Sequence, residues 1–302
     1  MVQAGTPTLA KGSVGKPFRG RVGSAKATIP ANASASIALD EWFAPSVNEG
    51  ALRRLGIKAR GGGPHQSKTM MLTEFTTLMV NGAADRPADA IVRDNLLGKP
   101  SVRAREAALY RLGQIYGLSN ALPIFAVLGR LWERDPPARP MLALLCALAR
   151  DPLLRIGAGA VLDASLGERV RWPQIAVAFE ARSPGRFGEK MAKSLAQNAA
   201  STWMQAGFLK GAVRKERIRA KSTPAVAIYA ALIASVCGFG GVRLLTCRWL
   251  DVLDHPIDDR LALLRQGEGL GLARVRRAGD VLEIDVRRPL AEAFGVPALV
   301  DR

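Results

Sequence analysis

The sequence predicts a mainly α fold, and three observations carry that prediction. Apolar residues recur at steps of three and four through nearly every segment between residues 67 and 206. Most of these segments are bracketed by helix punctuation, with Ser, Asp or Pro before them and Gly or Pro after. Hydrophobic residues make up 48% of the chain and the mean hydropathy is +0.07, enough apolar surface for a sizeable core. A length of 302 residues allows one large domain or two to three small ones.

The elements follow in order. Before Asp40 the chain holds Lys11, Lys16, Arg19, Arg21 and Lys26 with no acid, and Pro7, Pro17 and Pro30 break any long helix. Residues 1–66 are therefore expected to form a disordered basic arm and linker, with a short helix around Leu52 and Leu55 and the folded body starting near Ser67. Met71, Leu72, Phe75, Leu78 and Met79 give a first core helix. Asp85 and Pro87 start another through Leu97, which Gly98-Lys99-Pro100 stops. Ser101 caps the next, with Leu109, Leu112, Ile115 and Tyr116 as its apolar face and Gly117 as its end. Helices are then expected from Ser119 to Pro136, over 141–150, 151–165 and 173–182, and from Ser183-Pro184 onward. The uncharged run 225–242 reaches spanning length, but its alanines and the cluster Gly238, Gly240 and Gly241 make it a buried helix. Strand signal is confined to 212–221 and 272–286, the second a hairpin turning at Ala278-Gly279-Asp280.

Charge narrows the function. Forty-three Lys and Arg against 26 Asp and Glu leave +17, which implies a polyanionic partner, nucleic acid or an anionic membrane surface. Cys146, Cys237 and Cys247 are odd in number and set in apolar runs, so they are expected to be buried thiols of a reduced compartment, with the cytoplasm as the location. Two histidines and no Cys-x-x-Cys leave no ordinary zinc site, and no cofactor or catalytic group is expected. Residues 62–69 approach a phosphate loop, but Ser67 stands where the last glycine is needed and no apolar strand precedes it. His255 sits in a turn rich in acids, and His65 has no evident partner.

The strongest candidate site is 183–221. Phe187, Met191, Leu195 and Ala199, with Trp203 beside them, make a core stripe, and Lys190, Lys193, Gln197 and Ser201 fall opposite, with Asn198 at the edge. Lys reaches phosphate or guanine, while Gln and Asn pair with adenine. After Gly207-Phe208-Leu209, Lys215, Arg217, Arg219 and Lys221 would share one face of a strand. Four like charges on one face repel unless an anion is near, although charge also guards an edge strand. The order is that of a recognition helix leading into a β wing. The expected fold is thus a helical bundle with winged-helix units, helix-turn-helix plus β wing: a helical domain over 67–182, a winged-helix element over 183–223 and a second such unit over 224–302. Residues 85–117 add a helix-turn-helix-like corner with Arg103 and Arg105 in the first turn of its second helix. In the last unit Asp280, Glu283 and Asp285 offset Arg274, Arg276 and Arg277, which suits packing or a protein partner.

The stretch Val92-Arg93-Asp94-Asn95-Leu96-Leu97-Gly98-Lys99-Pro100-Ser101, followed by a helix with Arg111-Leu112, resembles the Asn-Leu and Lys-x-Ser pattern of BrxA-type proteins from BREX phage-defence systems. The segment from Lys190 to Leu209 is similar to that family's later helix and short apolar strand, and the likeness spans roughly 67–215. The resemblance implies a non-enzymatic DNA-binding accessory protein acting beside the methyltransferase and ATPase of a defence locus. The expected partner is double-stranded DNA, with no membrane. The alternative is a scaffold whose basic faces dock acidic proteins.

Overall fold

The computed structural model describes residues 41–300 except Ser46, Gly62, Pro64, Gln66 and Ser67. Residues 1–40 of the expected arm, and Gly62, Pro64, Gln66 and Ser67 of the near-miss phosphate loop, lie outside the described residues. The chain is mainly helical, with two small sheets among the described residues.

The first half is a helical array: α1 (Glu49–Leu55), α2 (Leu72–Val80), α3 (Val102–Tyr116), α4 (Pro123–Arg134), α5 (Arg139–Arg150), α6 (Pro152–Ile156) and α7 (Gly159–Leu162). Local chemistry sets their ends. The Ser101 hydroxyl accepts from the Ala104 N–H at 3.2 Å, and the Asp151 carboxylate accepts from Leu153 and Leu154 N–H at 2.9 and 3.3 Å. Next come β1 (Arg169–Val170), α8 (Trp172–Arg182), α9 (Glu189–Gln205), β2 (Leu209–Lys210) and β3 (Lys215–Arg217). The last part holds α10 (Pro224–Val236), α11 (Gly241–Leu245), α12 (Arg248–Asp251), α13 (Ile257–Gly269), β4 (Arg274–Ala278), β5 (Val281–Asp285) and α14 (Arg287–Phe294).

Two helices form the middle of the core. Met141 to Ala149 of α5 and Ala225 to Ala234 of α10 are buried on every side, which is why these stretches are apolar all round rather than striped. No described helix is long and apolar enough to cross a membrane. The three-stranded sheet is antiparallel in the order β1-β3-β2, with Arg169 opposite Glu216 and Leu209 opposite Arg217. The hairpin β4–β5 pairs Arg274 with Asp285 and Ala278 with Val281, as its alternation and turn residues predict.

Several boundaries depart from expectation. The folded body begins by Trp42, not near Ser67: Trp42, Phe43, Leu52 and Ile57 are buried, and the Trp249 indole N–H donates to the Trp42 carbonyl at 2.7 Å. The expected helix from Pro87 to Leu97 ends in a π turn, Asp89–Arg93. Asn95 then takes a left-handed φ of 53°, and its side-chain oxygen accepts from the Lys99 N–H at 2.8 Å, so a turn displaces the last helical residues. The 151–165 helix is two short ones because Gly157 lies under α8, where a Cβ would meet Ile175 at 2.8 Å. The helix expected from Ser183 begins only at Glu189, and Phe187 in the intervening turn packs edge-on against Phe179. The expected units are not separate domains: the described residues share one core, with α10 packed on α4, α5, α12 and α13.

Candidate nucleic-acid interface

The segment 169–217 runs strand, helix, turn, helix, hairpin. Burial of Leu195, Ala196, Ala199 and Trp203 fixes which way α9 faces, and Trp203 meets Phe208 edge-on at 4.8 Å where the chain enters β2. One sector beside this core stripe is laced to the chain leading into α2. Asn198 Nδ2 donates to the His65 carbonyl at 2.9 Å, the Met70 N–H donates to Thr202 Oγ1 at 2.9 Å, and Gln205 Nε2 donates to Thr69 Oγ1 at 3.2 Å. What remains outward is the row Lys190, Lys193 and Gln197, all exposed, with Ser201 half-buried at its end. The Lys193 ammonium lies 5.4 Å from the ring centre of Trp172, the first residue of α8.

The hairpin beyond α9 is shaped by Gly211, at φ +96°, where a Cβ would sit 2.2 Å from the Arg214 carbonyl oxygen. That tight turn leaves Val213 92% exposed and Arg214 exposed beside it at the tip. Arg171, at the N-terminus of α8, is exposed as well. Neither arginine is among the expected contacts. Gly211, four residues ahead of the strand and flanked by basic residues, is the signal that marks the tip.

The other expected contacts fall differently. Arg217 is 2% exposed and points inward from the central strand. Its guanidinium donates to both Asp254 oxygens at 3.1 and 2.7 Å, and its Nε donates to the Val161 carbonyl at 3.0 Å. The strand covers only Lys215 and Arg217 of the four expected on one face, and the Arg217 side chain lies on the inner side of the three-stranded sheet. Lys215 is half-buried, its ammonium reaching Met204 Sδ at 3.4 Å and the Ala212 carbonyl at 3.3 Å, and burial lowers its pKa. Arg219 and Lys221 are exposed but lie past the strand's end, Arg219 donating to the Asp254 carbonyl at 3.4 Å. Asn198, engaged with His65, is a tether rather than a contact. Arg105 braces the π turn through the Val92 carbonyl at 3.1 Å, while Arg103 is exposed on α3, whose main packing is against α5 and that turn.

His65, far from partnerless, joins three elements. Its Nδ1 is 2.7 Å from Asp151 Oδ2 and its Nε2 is 2.7 Å from Thr202 Oγ1, with all three residues fully buried. The order carboxylate, imidazole, hydroxyl resembles an acid–base relay, but zero exposure leaves a substrate no approach, and its work here is to tie α9 to the cap of α6. Burial pushes the Asp151 carboxyl up, and the attraction of His65 with hydrogen bonds from its ring, its backbone and Leu154 more than reverses that, holding it below its ordinary 3.8.

The second hairpin unit also runs from a helix into a hairpin, without a third strand and with a different charge. The outward face of α13 carries Asp258, Asp259, Ala262, Arg265 and Gln266, and in the hairpin Arg276 stands opposite Glu283. His255 sits 3.8 Å from Asp259 in the turn before α13. Among the described residues no group of His, Cys, Asp and Glu could hold a metal ion. All three thiols are free and buried, and burial raises Cys146 and Cys247 to about 11.

No protein-family model matches the chain, nor does any curated protein or solved structure.

Proposed function

We propose that the chain binds duplex DNA through a winged helix spanning 169–217. The observation that carries this is the outward row Lys190, Lys193 and Gln197 on α9, adjoining a hairpin with Arg214 at its tip. The strand order β1-β3-β2 following the α8–α9 pair supports this reading, since a winged helix seats one helix in a major groove with its hairpin alongside. Lys190, Lys193, Arg171 and Arg214 neutralise phosphates, and Gln197 is placed to meet a base edge. The second unit, 241–285, also ends in a helix and a hairpin, and the Asp258 and Asp259 end of its helix suits a protein neighbour better than a phosphate backbone.

An accessory role in a BREX-type defence locus, beside its methyltransferase and ATPase, is the context we propose from the resemblance over 67–215. In the resembling stretch Asn95, Lys99 and Ser101 form a turn and a cap, with Lys99 paired to Glu74 at 3.0 Å. Those residues would shape the protein rather than touch a partner.

Fluorescence anisotropy with a short random duplex across a range of salt tests the interface. Log K is expected to fall with log salt by roughly 0.9 per neutralised phosphate. Lys190→Glu/Lys193→Glu/Arg214→Glu should abolish that slope with the fold intact. Salt-insensitive or undetectable binding by the wild type would defeat the proposal and favour docking to an acidic protein.

A further inference from the structure

A cavity of about 640 Å³ lies behind the turn between α8 and α9, away from the outward row of α9. That volume is inside the range of roughly 300–1,000 Å³ common for small-molecule sites. Ser183 and Arg186 of the turn form one wall, Pro152 and Ile156 of α6 another, and Arg248 of α12 a third. Apolar surface comes from Trp42, Phe43, Ile156 and Ala178.

The cations of the lining outnumber its anions. Glu41 and Asp163, the carboxylates on the wall, are both held by Arg248, at 3.2 and 2.6 Å. Arg155 is only 5% exposed, with Phe43 5.0 Å from its guanidinium, and it donates to the main-chain carbonyls of Lys58, Ala59 and Leu148. Among the described residues it makes no ion pair, and burial pushes its pKa down to about 10. Its guanidinium is held by carbonyl dipoles and by the more distant attraction of Asp151, and in low-dielectric surroundings its charge is little screened from an anion in the cavity. Arg186 adds positive charge at the turn wall, whereas Arg60 is paired with Glu49 at 2.7 Å. The arm of this chain is a poor occupant on charge, since residues 1–39 carry five basic groups and no acid.

We propose that this cavity binds a small organic anion of nucleotide size, its phosphate or carboxylate head drawn to the Arg155 and Arg186 side and its flat apolar body against Ile156 and Ala178. Inorganic phosphate alone would leave most of the volume and all of the apolar wall uncovered. The site is independent of the DNA interface and does not rest on it.

The test is a fluorescence titration of the full chain with 8-anilinonaphthalene-1-sulfonate, a flat organic anion, at physiological salt. Ala181→Trp fills the cavity without altering charge, Arg186→Gln removes one cation, and Lys190→Glu/Lys193→Glu changes only the α9 row. Saturable one-site binding is expected, weakened roughly tenfold or more by Ala181→Trp, reduced by Arg186→Gln, and retained by the α9 double variant. No saturable binding, or equal binding by wild type and both cavity variants, overturns the proposal. Circular dichroism confirms that each variant is folded, and Arg186→Gln decides the matter if Ala181→Trp is not. DNA affinity measured on the same samples reads out separately, so loss of one function does not stand for loss of the other.

Discussion

The two hairpin-bearing units, 169–217 and 241–285, both run from a long helix into a hairpin, but only the first has a third strand, and they differ in what they show to solvent. In the first, α9 presents Lys190, Lys193 and Gln197; in the second, α13 presents Asp258 and Asp259 at the corresponding end. The comparison teaches that a helix followed by a hairpin does not by itself fix the charge of the exposed face: α9 is anchored by Leu195, Ala199 and Trp203, α13 mainly by Leu264, and their outward residues carry opposite charge at the N-terminal end. The units are also joined: Arg217 of the first reaches Asp254 of the second across 2.7 Å.

Breaking that join should have the largest effect. Asp254→Ala leaves Arg217 buried and unpaired, and is expected to cost about 3–5 kcal/mol of stability, read from urea or guanidinium unfolding. A change under 1 kcal/mol, by contrast with that, would mean water reaches Arg217. For the same reason a charge reversal that includes Arg217 would unfold the first unit and say nothing about DNA.

The outward faces come next. Lys190→Glu/Lys193→Glu should weaken duplex binding by about 10–100-fold, or about 1.4–2.8 kcal/mol, and flatten the salt slope by roughly 2. Asp258→Lys/Asp259→Lys in the second unit should change affinity by no more than a few fold. Equal effects from the two pairs would show that net charge, not the α9 face, holds DNA.

The hairpin turns offer a finer contrast. Gly211→Ala must push against the Arg214 carbonyl as well as hold a positive φ, whereas Gly279, at φ +58°, has nothing within 4 Å of an added Cβ. Gly279→Ala should cost about 1 kcal/mol and Gly211→Ala clearly more. The smaller loss at Gly211 would place the tip of the first hairpin in a different turn.

Acid should act on the first unit through its tether. The Asp151 carboxyl is held below its ordinary 3.8, so its contribution is complete above about that pH and is lost as pH falls through its lower folded value. Unfolding midpoints of the wild type should therefore drop below about pH 4, and Asp151→Asn, less stable at neutral pH, should show a shallower drop. Parallel acid profiles would remove Asp151 from the tether's energetics.

Much of the helical array is legible because helix ends are local. Ser101, Asp151 and Pro152 cap helices where the residues said they would, and Lys190, Lys193 and Gln197 fall outward because the stripe Leu195, Ala199, Trp203 fixes the helix's rotation. What escaped depends on distant partners. Arg217 and Asn198 look like surface groups in sequence, and only Asp254 and the His65 carbonyl, 37 and 133 residues away, make them internal. Arg105 is drawn in by a nearer partner, the Val92 carbonyl at the end of the π turn.

Composition and periodicity were enough for a basic, mainly helical chain with buried thiols and an amphipathic α9, since charge, capping and helical stripes are properties of neighbouring residues. Which cations stay in solvent, where the folded body begins, and how a cationic cavity forms between Trp42, Arg155 and Arg248 were settled by packing, because a side chain's exposure and its partner depend on segments brought together from far along the chain.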